Sequence, residues 1–81
     1  MRYRIFTLRD TENPDPTVLL RNIESNRDRI KDNGNRIFGV FGSLLGLATN
    51  EVYLVSFGAT DFSLDLEESI KIVSIRTFRP T

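Results

Sequence analysis

The sequence contains no cysteine, no histidine and no tryptophan. Without cysteine the chain forms no disulfide, and no thiolate acts as a nucleophile or a zinc ligand. Without histidine it lacks the commonest general base, the commonest metal ligand and the usual proximal haem ligand. We therefore expect no metal and no other cofactor, and the sequence identifies no catalytic residue.

Neither sign of charge dominates, because 11 lysines and arginines balance 11 aspartates and glutamates. The basic residues are scattered along the chain and many have an acidic neighbour, so no attraction to nucleic acid or to anionic lipid is indicated. The first ten residues, MRYRIFTLRD, lack the apolar core of a secretory signal. We expect a cytoplasmic protein with neither a nucleic-acid partner nor a membrane partner.

The chain also lacks a long apolar run. Residues 37–48 are its most apolar segment, and Gly39, Gly42, Ser43 and Gly46 interrupt it. A membrane-spanning helix needs about 20 apolar residues, so this segment is too short. A P-loop needs a lysine and a hydroxyl residue after its last glycine, whereas leucine and alanine follow here.

A β-hairpin fits this region better, because the turn former pair Thr49–Asn50 separates two runs rich in strand-forming residues. The glycines of the first run favour a bulge or tight curvature. In the second run both faces are apolar, one with Val52 and Leu54 and the other with Tyr53, Val55 and Phe57. A sheet that is apolar on both faces needs two covers. We expect the chain's own helices on one face and a second copy on the other, and thus a homodimer.

The flanking segments complete one predicted domain over residues 1–81. Residues Arg2 to Arg9 alternate as a strand, and a helix over Pro16 to Asp32 follows an Asp15 cap and ends at Asn33-Gly34. A short second helix is predicted within Ala59 to Ser69, before a last strand, IKIVSIRTF, in which Ile72 and Ser74 share a face. The order β-α-β-β-α-β predicts an α+β, ferredoxin-like domain with an antiparallel sheet and a short second helix.

A helix ending near DNG, then IFGVFGSLLGLATNEVYLVSF, then a strand ending RTFRPT, resembles the NIPSNAP-like branch of the dimeric α+β barrel superfamily. The resemblance implies that two ferredoxin-like sheets pair into a barrel, and that any small-molecule pocket lies between sheet and helices. Its members include cofactor-independent quinol monooxygenases, haem-degrading monooxygenases and lactone isomerases. The absence of histidine and tryptophan argues against haem degradation here.

The candidate ligand-binding residues are Tyr3, Phe41 and Tyr53, which lie on predicted strands. A buried tyrosine can hydrogen-bond a ligand carbonyl, although each side chain equally fits a core or interface role. The six phenylalanines can line an aromatic pocket or simply fill the core.

Two functions stay open at this stage, and with them the question of whether the protein is an enzyme. The first is a small dimeric protein that binds or oxidises a hydrophobic small molecule, in the manner of a cofactor-independent monooxygenase. The second is a non-catalytic structural or protein-interaction module that uses the sheet face for self-assembly. A closed apolar cavity would favour the first, and a solidly packed interior the second.

Overall fold

The computed structural model describes residues 1–42 and 50–79. The strands and helices, in chain order, are β1 (Arg2–Asp10), α1 (Thr17–Ser25), α2 (Arg27–Asp32), β2 (Asn35–Phe41), β3 (Glu51–Gly58) and β4 (Ile70–Phe78). The predicted α+β class with an antiparallel sheet is confirmed. The end of the predicted first hairpin run, with Ser43 and Gly46, and Thr49 of the predicted turn lie outside the described residues.

The four strands form one sheet in the order β2-β3-β1-β4, and every neighbouring pair is antiparallel. This arrangement is compatible with a ferredoxin-like sheet. Both helices lie on one face, which we call the helix face; we call the opposite face the open face. The shortest extent of the protomer is 16 Å, which leaves room for one sheet and one covering layer.

The predicted first helix is confirmed in position, but it is bent into α1 and α2 at Asn26. The Asp15 carboxylate accepts a hydrogen bond from the Thr17 amide at 2.9 Å. The helix itself begins at Thr17, one residue later than the predicted start at Pro16. Gly34 ends the helical region with a φ of 76°, as the predicted Asn-Gly stop requires, because glycine adopts the left-handed region without steric cost.

The predicted second helix is wrong. Residues 59–69 form an extended connection without helix, in which Phe62, Leu64 and Leu66 pack against the core. These three side chains recur at every second residue, which is the period of an extended strand and not of a helix. We call this segment the 59–69 connection.

Two asparagines of the helical region bind the 59–69 connection. The Asn26 side chain donates to the Asp65 carbonyl at 2.9 Å and accepts from the Asp65 amide at 2.8 Å. Asn22 donates to the same carbonyl at 3.1 Å and accepts from the Glu67 amide at 2.8 Å. The two carboxamides thus satisfy the backbone groups that a neighbouring strand would otherwise satisfy, and this stabilises the extended conformation.

The core lies between the helix face of the sheet and the layer that covers it, which is made of α1, α2 and the 59–69 connection. Its buried apolar residues are Phe6, Leu8, Leu19, Ile23, Ile30, Val52, Leu54 and Ile70. On β3 the alternation is complete, since Val52, Leu54 and Ser56 are buried on the helix face. This pattern confirms the predicted division of β3 into two faces on the side that builds the core. Burial of each leucine there stabilises the fold by about 2 kcal/mol.

A bulge in β4 alters which of its residues face the core. The pairing with β1 shifts between Thr7 and Leu8, so that Ile72 pairs with Leu8 and Ser74 with Thr7. Val73 is the extra residue, and Ile72 and Ser74 consequently lie on opposite faces. The prediction that these two residues share a face is wrong, because it assumed a regular strand. A second register shift, between Ile37 and Gly39, confirms the bulge expected in the glycine-containing strand.

No helix in the described part of the chain is long and apolar enough to span a membrane.

Candidate functional site

The open face is a concave apolar surface on the side of the sheet opposite the helices. Its central concavity has a volume of about 650 Å³. The lining side chains come from all four strands: Ile5, Thr7, Phe41, Tyr53, Val55, Ser74, Arg76 and Phe78. Strand pairing places them side by side, because residues that pair across antiparallel strands point to the same face.

The residues of the concavity form two adjacent cross-strand rows. Ile5 pairs with Val55 on one side and with Arg76 on the other. In the same way, Thr7 pairs with Tyr53 and with Ser74. The floor is therefore apolar at Ile5 and Val55. Arg76 ends this row on β4, and the neighbouring row carries the hydroxyl groups of Tyr53, Thr7 and Ser74.

Gly39 shapes the edge of the concavity on the β2 side. It pairs with Val55 but presents no side chain there, and the ring of Phe41 occupies the space. A Cβ at position 39 would lie 2.7 Å from two ring atoms of Phe41. The glycine thus allows the ring to fold back along its own strand, and Phe41 remains 51% exposed.

The polar groups of the concavity are all hydrogen-bond donors or neutral hydroxyls. The Ser74 hydroxyl bonds to the Thr7 hydroxyl with an oxygen–oxygen distance of 3.0 Å. Whichever hydroxyl donates, the pair keeps one hydrogen for another acceptor. Tyr53 adds a phenol and Arg76 a guanidinium, and no aspartate or glutamate belongs to the lining.

A cluster of aromatic rings lies next to the concavity on the open face. The ring centroids of Tyr3 and Phe57 are 4.6 Å apart, and those of Tyr3 and Phe38 are 5.4 Å apart. The Arg36 guanidinium lies 6.0 Å from the Phe57 centroid, at the outer limit for a cation–π contact. These rings line a second, smaller depression of about 370 Å³.

The structure brings together two of the three predicted site residues. Phe41 and Tyr53 pair directly and both line the concavity, whereas Tyr3 lies in the neighbouring aromatic cluster. All three are on the open face. The resemblance implied a pocket between sheet and helices, but this concavity is on the other side of the sheet.

A band of charge borders the open face beyond Tyr53. Arg9 and Glu51 pair across β1 and β3, with a nitrogen–oxygen distance of 3.2 Å. Lys71 pairs with Arg9 from the other side. Glu51, which is two residues from Tyr53 in the sequence, is thus already paired with Arg9.

The helix face has a cleft of its own at the opposite end of β1. Arg2, Arg4, Asp61 and Phe62 belong to its walls, and Asp61 forms ion pairs with both arginines. Burial lowers the pKa of Arg4, and the neighbouring Arg2 charge lowers it further. The cleft holds this cluster of two arginines and one aspartate, which anchors the start of the 59–69 connection to the sheet.

Asp10 is fully buried at the end of β1, away from the concavity. Burial acts to raise the pKa of its carboxyl group, but hydrogen bonds outweigh this and hold the pKa below its usual range. The donors are the amides of Glu12 and Asn13, each at 3.0 Å, and the Asn13 side chain at 2.8 Å. The carboxylate therefore closes the turn that follows β1.

Among the described residues, no group of three or more acidic side chains converges in a way that would hold a metal ion. Searches against protein-family models, curated proteins and solved structures found no match for this chain.

Sequence reasoning missed Arg76, Thr7 and Ser74 as members of the site. Alternation along β1 predicts that Thr7 shares a face with Tyr3 and Ile5. Ser74 and Arg76 share that face because they pair with Thr7 and Ile5. Because Ser74 and Arg76 are two residues apart on a strand, the sequence predicts that their side chains share a face. It does not predict whether that face is the helix face or the open face.

Proposed function

We propose that this protein binds a hydrophobic small molecule on the open face of its sheet, as a homodimer in which a second copy covers the same face. The observation that carries the proposal is the concavity of about 650 Å³ with an apolar floor and a few convergent polar groups. This is the usual composition of a small-molecule site, and its volume lies within the usual range.

The partial exposure of the apolar lining residues supports a second copy that covers the open face. Ile5, Tyr53 and Val55 are each only half-buried in the protomer, and Phe41 and Phe78 are 51% and 47% exposed. Apolar side chains gain about 25 cal/mol for each square ångström removed from water. A second copy facing the same surface would enclose the ligand between two sheets. The pairing of the sheets is what the NIPSNAP-like resemblance implies, whereas the position of the ligand differs from the pocket between sheet and helices that it implies.

Binding is tested with 2-naphthamide, an uncharged aromatic probe. We expect saturable binding by titration calorimetry, with amide chemical shifts that change at Ile5, Tyr53 and Val55 in nuclear magnetic resonance spectra. The Val55→Asp variant should lose binding, because it places a carboxylate on the apolar floor. Val73→Asp is the matched control, since Val73 is 48% exposed and outside the lining.

If Val55→Asp fails to fold by circular dichroism, Phe41→Ala replaces it, because Phe41 is exposed and its loss opens the edge of the concavity. Sedimentation equilibrium measures the mass of the protein with and without the probe. Absence of saturable binding both for 2-naphthamide and for its carboxylate analogue 2-naphthoate, or equal binding by Val55→Asp (or Phe41→Ala in its place) and the parent, would overturn the proposal.

The second candidate function is self-assembly without a ligand. It is favoured by β4, an edge strand on which Ile72, Val73, Ile75 and Phe78 are all between 41% and 53% exposed. A dimer that binds no probe would support this reading.

Oxidation of a bound quinol is a separate expectation from the resemblance, in which the ligand itself activates oxygen while the protein orients and desolvates it. Oxygen uptake with a naphthoquinol measures it.

A further inference from the structure

Arg76 is the one formally charged residue in the lining of the concavity. It pairs with Ile5 across β1 and β4, and its neighbours in the concavity are apolar or neutral. The ion pairs of the described residues involve Arg2, Arg4, Arg9, Arg27 and Arg29, and none involves Arg76. Its guanidinium thus has no carboxylate partner in the part of the chain that is described.

The other open-face charges, including Lys71 beside Arg9, lie outside the lining of the concavity. Arg9 is paired with Glu51 at 3.2 Å, and Arg36 lies beside Phe57 in the aromatic cluster. The concavity therefore has a formal charge of +1 from Arg76 alone, next to an apolar floor where the local dielectric constant is lower than in water.

The hydroxyl groups complete a donor set beside this charge. The Thr7–Ser74 pair keeps one free hydroxyl hydrogen after its 3.0 Å hydrogen bond, and it lies in the row adjacent to Arg76. Tyr53, which pairs with Thr7, can donate from its phenol. A planar anion with two oxygen atoms matches this set, because arginine binds such groups with two parallel hydrogen bonds.

We infer that the ligand of the open face is an aromatic or aliphatic carboxylic acid, whose apolar body lies over Ile5 and Val55 and whose carboxylate binds Arg76 and the adjacent hydroxyl pair. This inference rests on the proposed function and adds the chemical class of the ligand to it. A neutral amide of the same shape binds less well, because it has no negative charge to attract the Arg76 guanidinium and its NH₂ group cannot accept a hydrogen bond from it.

The test compares 2-naphthoate with 2-naphthamide, which differ only in the polar group. We expect the wild-type protein to bind naphthoate about tenfold more tightly at low ionic strength, with the preference decreasing as salt is added. The Arg76→Gln variant should remove the preference and leave the affinity for naphthamide within about twofold. Arg76 is exposed on an edge strand, so the substitution leaves the core intact.

Lys71→Gln is the matched control, because Lys71 lies on the same strand and is outside the lining. It should retain the preference for naphthoate. Equal affinities for the two probes in the wild-type protein, or an equal loss of preference in both variants, would overturn the inference while the proposed function stands. Failure of both probes to bind would overturn the proposed function and this inference with it.

Discussion

The two faces of the sheet are made from neighbouring residues of the same strands, yet they meet different environments. On β3, Leu54 is fully buried against the helices, while Tyr53 and Val55 on either side of it are half-buried on the open face. All three side chains are apolar or aromatic, so composition does not separate the faces. The difference arises from the covering layer, which the protomer supplies on one side only.

A second contrast lies within the helix face itself. Its central part is covered by α1, α2 and the 59–69 connection, whereas Ile72 and Ile75 on β4 remain 41% and 53% exposed. A second helix would be wide enough to cover β4, but an extended chain is narrower. The half-covered edge is therefore a direct consequence of the conformation of residues 59–69.

The largest predicted effect distinguishes the two faces through adjacent residues. Leu54→Ala should lower the free energy of unfolding by about 2–5 kcal/mol, because it leaves a cavity in the core. Val55→Ala should cost about 1 kcal/mol or less in the protomer, since its side chain is only half-buried. Urea unfolding at low protein concentration measures both.

The same pair of variants tests the homodimer. If a second copy covers the open face, the wild-type protein becomes more stable as its concentration rises, and Val55→Ala weakens that dependence. Equal losses for the two variants at low concentration would contradict the contrast between the faces.

An intermediate effect is predicted for the asparagines that bind the 59–69 connection. Asn26→Ala removes the acceptor of the Asp65 amide and one of the two donors to the Asp65 carbonyl, the other being Asn22. It should lower the free energy of unfolding by about 1–3 kcal/mol. Hydrogen exchange at the Asp65 amide should accelerate at the same time. Asn33→Ala is the matched control, because Asn33 is exposed and makes one side-chain bond, to the Arg29 carbonyl at 2.8 Å.

Unchanged exchange at Asp65 in Asn26→Ala would show that apolar packing of Phe62, Leu64 and Leu66 suffices to hold the connection. The exposed edge of β4 would then follow from that packing alone, without the asparagine side chains.

The smallest predicted effect concerns acid stability. The hydrogen bonds to Asp10 hold its pKa below the ordinary value, so its carboxylate stabilises the folded state above the unfolded pKa of about 4. This stabilisation is lost as the pH falls through the lower, folded pKa. Asp10→Asn should therefore be less stable at neutral pH and should show a flatter decline below about pH 4.

Asp15→Asn provides the matched comparison for that measurement. Hydrogen bonds from Thr17 also lower the pKa of Asp15, but Asp15 is exposed and has fewer donors, so its removal should flatten the decline less. Thermal unfolding followed between about pH 2 and 7 compares the two variants. An acid-side decline in Asp10→Asn equal to that of the parent would contradict the role of the buried carboxylate.

Local sequence signals predicted the regular elements well, and these signals have a simple physical basis. Alternation in β1 and β3 follows from the two-residue period of a strand, and the Asn33–Gly34 stop follows from the left-handed conformation that glycine permits. That Tyr53 and Phe41 lie on one face follows from the register of β2 with β3 in the structure and was not predicted from the sequence.

The two errors have specific causes. In residues 59–69, a possible Asp61 cap and two glutamates suggested a helix, while the two-residue period of Phe62, Leu64 and Leu66 indicated an extended chain. The deciding hydrogen bonds come from Asn22 and Asn26, about 40 residues earlier, which no local pattern reveals. In β4, the bulge at Val73 depends on the register with β1 and turned Ser74 and Arg76 to the open face.

The sequence by itself determined the class of the domain, the alternation of its strands and the apolar character of both faces of β3, because these depend on side-chain period and polarity. Only the tertiary structure decided that a connection without helix replaces the second helix, and that Arg76 lines the same apolar concavity as Thr7, Ser74 and Tyr53. Both outcomes depend on contacts between residues far apart in the chain, whose energies are set by packing and register and not by local preference.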